Sequence, residues 1–123
     1  MLAVVALVAP AACGSGSKPP VRLGQADKGG TVGLAVGRAA VVRLDQPQWA
    51  FQPVSGGAVR AVGEPKLVFV HKECKRVSGC GYVTLTVKAA RGHSTIVALR
   101  GSCGELARCP PAERTFSVTI VVQ

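Results

Sequence analysis

The residues best equipped for chemistry in this chain are its five cysteines. Four of them fall into two pairs of equal spacing, Cys74 and Cys80 in KECKRVSGCGY and Cys103 and Cys109 in GSCGELARCPP. Thiols placed this way in loops can oxidise to disulfides or gather around a metal. Four cysteines allow three pairings, and the repeated spacing favours Cys74–Cys80 with Cys103–Cys109. Closing such short loops would add up to about 2–3 kcal/mol each, and a clamped loop tip loses less freedom when it meets a partner. A zinc site built from all four thiolates is the alternative, although the usual spacing of zinc ligands is absent. Other reactive groups are sparse. His71 lies in an apolar strand-like run and reads as a core or rim residue, and His93 sits at a chain corner where it would bond to backbone. Asp27 and Asp45 are far apart, and neither G-x-S-x-G nor H-E-x-x-H occurs. Without a nucleophile and base, a carboxylate pair or a metal cluster, catalysis is not expected, and neither is a metal or other cofactor.

The chain of 123 residues has a formal net charge of +9, from 15 Lys and Arg against 6 Asp and Glu. The cations are scattered and do not form a run. They read as a solvated surface that tolerates an anionic neighbourhood such as a cell wall or lipid headgroups. Nucleic-acid binding would want basic residues interleaved with exposed aromatics, and the few aromatics here sit at core-like positions, so no nucleic-acid partner is expected.

Met1 to Ala12 (MLAVVALVAPAA) is an apolar run too short to span a bilayer. Small residues follow and lead into Cys13. The stretch resembles a bacterial lipoprotein signal, with Cys13 as the lipidated first residue of the mature protein. No Lys or Arg precedes the run, and Pro10 stands where that motif usually has Leu. A cleaved secretory signal and a cytosolic protein with an apolar start are the other readings. The resemblance implies an exported protein held at the outer face of the cytoplasmic membrane or the cell surface by its lipid, or otherwise secreted. Residues 13–30, rich in Gly, Ser, Pro and Lys, read as a flexible tether, with a single domain over 31–123.

The elements that must position the loops read as strands. Tyr82 to Arg100 holds two, joined at Ala90-Arg91-Gly92. Val83, Leu85 and Val87 alternate with Tyr82, Thr84 and Thr86, the period of a half-buried strand. In the second strand Ile96 and Ala98 face one side, Val97 and Leu99 the other. Thr31–Val36 and Ala39–Leu44 form two more around a Gly37-Arg38 turn. Asp45-Gln46-Pro47-Gln48 is a loop, and Trp49 and Phe51 share a face of a short strand. Ala58–Val62 and Lys66–Lys72 follow, and Thr115–Val122 closes the chain with Phe116, Val118, Ile120 and Val122 inward. Seven or eight strands at short spacing predict an all-β, immunoglobulin-like β-sandwich.

On that scaffold, Thr86-Val87-Lys88-Ala89-Ala90, Gly92-His93, Arg100 and Glu113-Arg114-Thr115-Phe116-Ser117-Val118 resemble the C-terminal half of the chagasin family. The likeness is residue by residue only from about Gly81 onward, and follows the strand pattern over Thr31–Val122. Members are immunoglobulin-like inhibitors of papain-type cysteine proteases, often exported or lipid-anchored in bacteria. They wedge three neighbouring loops into the protease cleft. The resemblance implies a first loop at Asp45, Gln46, Pro47 and Gln48, where Gln46-Pro47 matches the start of the family's N-P-T-T-G and Trp49 its buried Trp. It implies a second loop at Lys75, Arg76, Val77, Ser78, Gly79 and Gly81, and a third at Arg100, Gly101, Ser102 and Gly104. The T-T-G segment is missing, and Gly101 and Ser102 replace the Pro and Trp of the family's R-P-W. The expected partner is therefore a papain-type cysteine protease, bound without covalent chemistry by a monomer. The competing reading is a lipid-anchored immunoglobulin-like surface domain with a non-inhibitory binding or structural role.

Overall fold

The computed structural model describes residues 18–70, 80–103 and 108–123. They form ten strands, β1 Val21–Leu23, β2 Thr31–Leu34, β3 Ala39–Asp45, β4 Ala50–Phe51, β5 Ser55–Gly56, β6 Val59–Ala61, β7 Lys66–Phe69, β8 Gly81–Ala89, β9 Gly92–Leu99 and β10 Thr115–Val122. Two single turns of 3-10 helix, Gln25–Asp27 and Pro111–Glu113, complete the list. One sheet runs β2-β10-β9-β4, with β5 also on β9, and the other runs β1-β3-β8-β6, with β7 also on β8. The chain is all-β, and its two sheets make an immunoglobulin-type sandwich.

The alternating patterns dictate the faces. Along β8, Val83, Leu85, Val87 and Ala89 are buried, while Tyr82, Thr84 and Thr86 are half-buried. In β9 Ser94, Ile96 and Ala98 point inward, and in β10 Phe116, Val118, Ile120 and Val122 do. These side chains meet Ala40, Val42 and Leu44 of β3 and Trp49 in one core. Each large apolar side chain removed from water contributes about 1.5–3 kcal/mol.

β8 and β9 lie in different sheets, so the corner between them carries the chain across the sandwich. Gly92 makes that corner at φ 106°, a conformation that L side chains rarely adopt. The Gly37-Arg38 turn has the same task. β2 pairs with β10 and β3 with β8, so the turn crosses between sheets and does not close a hairpin.

Two expectations change. The stretch read as a tether over 13–30 contains β1, which pairs in parallel with β3 from Val21↔Ala40 to Leu23↔Val42. Leu23 is buried in the core. Gly29 and Gly30 are tied to β10 through Gly29 N–H to Ser117 O (2.7 Å) and Thr119 N–H to Gly30 O (3.0 Å). The strand number also exceeds seven or eight, because β1 is added and the stretch after Trp49 is cut into short pieces by Pro53, Gly56 and Gly57. Lys66–Lys72 is a strand only over Lys66–Phe69, and His71 and Lys72 lie outside the described residues.

Ser94 is the buried polar residue of the core among the described residues. Its Oγ accepts the N–H groups of Ala58 (2.8 Å) and Val59 (3.1 Å). Those donors arrive where the chain swings from β5 into β6. A Ser94→Ala variant strands both in an apolar interior, and such a loss costs about 1–3 kcal/mol. Urea denaturation should show that drop, with the far-ultraviolet spectrum unchanged.

Candidate functional site

The three loops implied by the family resemblance start or end on strands that terminate at one pole of the sandwich. β3 arrives there at Asp45, opposite Tyr82 of β8, and β9 arrives at Leu99, opposite Thr115 of β10. The first and second loops touch directly, because Gln46 N–H donates to Gly81 O at 2.8 Å. Gly81 is held close on its other side as well. A Cβ there would stand 2.6 Å from the Val68 carbonyl oxygen, so only glycine fits beside β7.

Arg100 ties the third loop to the first. Its guanidinium lies over the Trp49 ring at 4.3 Å and donates to Gln46 Oε1. Its Nε donates to Glu113 O at 2.9 Å, and Nη2 lies 3.9 Å from Glu113 Oε1. The Arg100 N–H also reaches Arg114 O at 2.9 Å. The side chain is only 12% exposed. Burial pushes the guanidinium below its ordinary value, and the Glu113 carboxylate acts in the opposite direction. Arginine starts so high that it keeps its charge throughout the working range.

The first loop is braced along its length. Trp49 Nε1–H donates to Asp45 O at 3.0 Å, closing the four-residue turn on itself. The Gln25 amide spans Asp45, donating to its carbonyl and accepting its N–H, both at 3.2 Å. Gln46 has φ 81°, left-handed backbone for a residue with a side chain. That conformation costs roughly 1–2 kcal/mol, and it persists here under two restraints, the bond to Gly81 and the bond from Arg100. Strain of this kind held by its surroundings is common at binding sites.

In the third loop Cys103 and Cys109 are joined by a disulfide. Ser102 and Arg108 form a bridge across its base, Cys109 N–H donates to Gly101 O at 3.3 Å, and Arg114 Nε donates to Cys109 O at 2.9 Å. Cys80 is also disulfide-bonded, to a partner outside the described residues. With these sulfurs committed, the four-thiolate zinc alternative fails. The expected Cys74–Cys80 pairing falls outside the described residues, as do Lys75, Arg76, Val77, Ser78, Gly79 and Gly104.

The sequence-derived site residues thus sort by depth. Asp45 and Gly101 are exposed, Gln46, Gln48, Ser102 and Arg100 are half-buried, and Gly81 and Pro47 are buried. Arg100, expected in the partner-facing third loop, is turned inward, because the Trp49 face and two acceptors outcompete water for it. Pro47 is fully buried as well. Sequence reasoning passed over Phe69 and Val70, which are 39% and 65% exposed at the end of β7. They sit at the same pole, since Phe69 pairs with Gly81. The signal was present as an unbroken Leu-Val-Phe-Val run, longer than one buried face of an edge strand can absorb.

Two solved structures share this architecture. The solution structure of amebosin matches with a TM-score of 0.59 and 18% identity, over 86% of this chain and 100% of amebosin. The crystal structure of the cysteine protease inhibitor EhICP2 from Entamoeba histolytica matches with a TM-score of 0.59 and 11% identity, over 84% of this chain and 94% of that one. No family model and no curated protein sequence matches the chain. At such identities the likeness is one of fold, and the fold is chagasin-like.

An Arg100→Met variant keeps an apolar body against Trp49 but removes every side-chain donor. Hydrogen bonds from a charged group contribute about 1.5–3 kcal/mol, so urea unfolding should report a loss of about 2 kcal/mol. Trp49 emission should shift to the red as water reaches the ring.

Proposed function

We propose that this protein is an exported inhibitor that uses the loop pole to occlude the active-site cleft of papain-type cysteine proteases. The observation that carries the reading is the direct joining of the three loop bases, Gln46 to Gly81 and Arg100 to Gln46. The fold shared with a cysteine protease inhibitor supports it. In this reading the backbone of residues 75–81 enters the cleft. Asp45 flanks it on one side, and Gly101 to Gly104 flank it on the other. Phe69 and Val70 add apolar contact beside the entering segment. Arg100 is a positioning residue that fixes the spacing of the flanking loops and stays out of the interface. The disulfide at Cys103–Cys109 shapes one flank before contact, so little ordering entropy is lost on binding. Nothing in the mechanism makes or breaks a covalent bond.

Titration of the disulfide-intact protein against papain and a cathepsin tests this reading. Reversible, stoichiometric loss of peptidase activity is expected, weakening when the disulfides are reduced. Absence of inhibition at micromolar concentration overturns it. In that case the inward turn of Pro47 and Arg100 favours the surface domain with a non-inhibitory role.

The same proposal places a lipid on Cys13 after removal of residues 1–12. Intact-mass measurement of the membrane-extracted protein should give a chain starting at Cys13 with added acyl mass. A Cys13→Ala variant should lose that added acyl mass.

A further inference from the structure

The pole opposite the loops has a different surface. There the β8–β9 corner, the Gly37-Arg38 turn and the start of β1 come together, with Gly37 N–H bonded to Ala89 O and Ala89 N–H to Arg38 O, both at 2.8 Å. The charged side chains that belong to this end are Lys18, Arg38, Arg60, Lys88 and Arg91. Arg60 and Lys88 are cross-strand neighbours, and Lys88 is also paired with Ala39. Arg38 holds the Pro19 carbonyl through Nε and Nη2 at 3.3 and 2.9 Å, fixing the chain where it enters beside Lys18.

The described side-chain carboxylates lie elsewhere. Asp45 and Glu113 are at the loop pole, and Asp27 belongs to the turn that contacts Asp45. Glu64 sits in the edge turn between β6 and β7. One end of the domain is therefore of mixed sign, and at the other every charged side chain among the described residues is cationic.

Within the cationic end is a groove of about 540 Å³, lined by Lys18, Val36, Arg38, Val62 and Lys88 among others. Val36 and Val62 are 52% and 54% exposed. We propose that this pole is a docking surface for anionic lipid headgroups, with the cations at phosphate level and the two valines against the upper acyl region. Cations around exposed aliphatic side chains suit a lipid interface, which rewards both together. Nucleic acid fits less well, because it asks for aromatic platforms and the described aromatics lie in the core or toward the loops. The point of entry agrees: Lys18, the first described residue, lines this same groove. Docked this way, the domain would stand with its loops pointing away from the bilayer. The proposal does not depend on protease inhibition.

The test uses the full chain carrying Cys13→Ala, so that no acyl chain contributes, and co-sedimentation with vesicles of phosphatidylcholine with or without phosphatidylglycerol. The protein should bind the anionic vesicles preferentially and be released by salt. The triple variant Lys18→Gln, Lys88→Gln, Arg91→Gln should lower partitioning on the order of a hundredfold. The control triple Lys28→Gln, Lys66→Gln, Arg108→Gln has the same net charge and should lower it by only a few fold. All six side chains are exposed or at the rim, and thermal unfolding of each variant verifies that the fold is kept. Equal losses in the two triples, or equal binding of the unsubstituted chain to both vesicle types, overturns the proposal.

Discussion

The guanidinium of Arg100 is where the two sheets are held together at the loop end. It leaves β9 in one sheet, bonds Gln46 at the end of β3 in the other, and covers Trp49 on the chain's way back to β4. A cation in so sheltered a place is tolerable only because its donors are occupied and its face is stacked. A lysine could not reproduce the arrangement, since a point charge offers neither the fork nor the plane. The spacing of the loops then follows. Gln46 can keep its left-handed backbone only while Arg100 and Gly81 hold it from opposite sides, and the whole turn is closed by the Trp49 bond to Asp45.

That arrangement gives a loop pole whose described edge is made largely of backbone and small residues, backed by a rigid support. Polar side chains that would decorate a looser loop are consumed internally. Such an edge suits a groove that reads shape and main-chain polarity, and it loses little conformational freedom when it docks. The disulfide between Cys103 and Cys109 extends the same logic to the neighbouring loop. At the far pole the charged side chains among the described residues are all cationic, so the two ends differ in kind, one built of backbone and small residues and the other of charge.

Much of the scaffold was legible in the sequence. The alternation through Val83, Leu85 and Val87 and through Phe116, Val118 and Ile120 follows from the two-residue period of a strand with one wet face, and the core contains those residues. The closeness of Cys103 and Cys109 was readable from their spacing alone. β1 was not, because three residues among Gly, Pro and Lys carry no periodic signal, and their parallel partner lies a full turn further along the chain. The inward fate of Arg100 escaped for a similar reason. It depends on Trp49 and Gln46, about fifty positions earlier, and nothing local to Arg-Gly-Ser announces it. Periodicity reports the local contest between water and core, and long-range capture of a single side chain lies beyond its reach.

β2 and β10 form a parallel pair, with Thr31 beside Thr119 and Leu34 beside Val122. An early segment of the chain thus finds its ladder only in the last one made. When the polypeptide is delivered from its N-terminus, on a ribosome or through a pore, residues 31–34 have no hydrogen-bonding neighbour until residues 119–122 emerge, and one sheet waits half-built. Closure of so long a loop is slow compared with turn formation. Synthesis from the N-terminus therefore leaves the 31–34 edge of that sheet without its ladder partner until residues 119–122 are made.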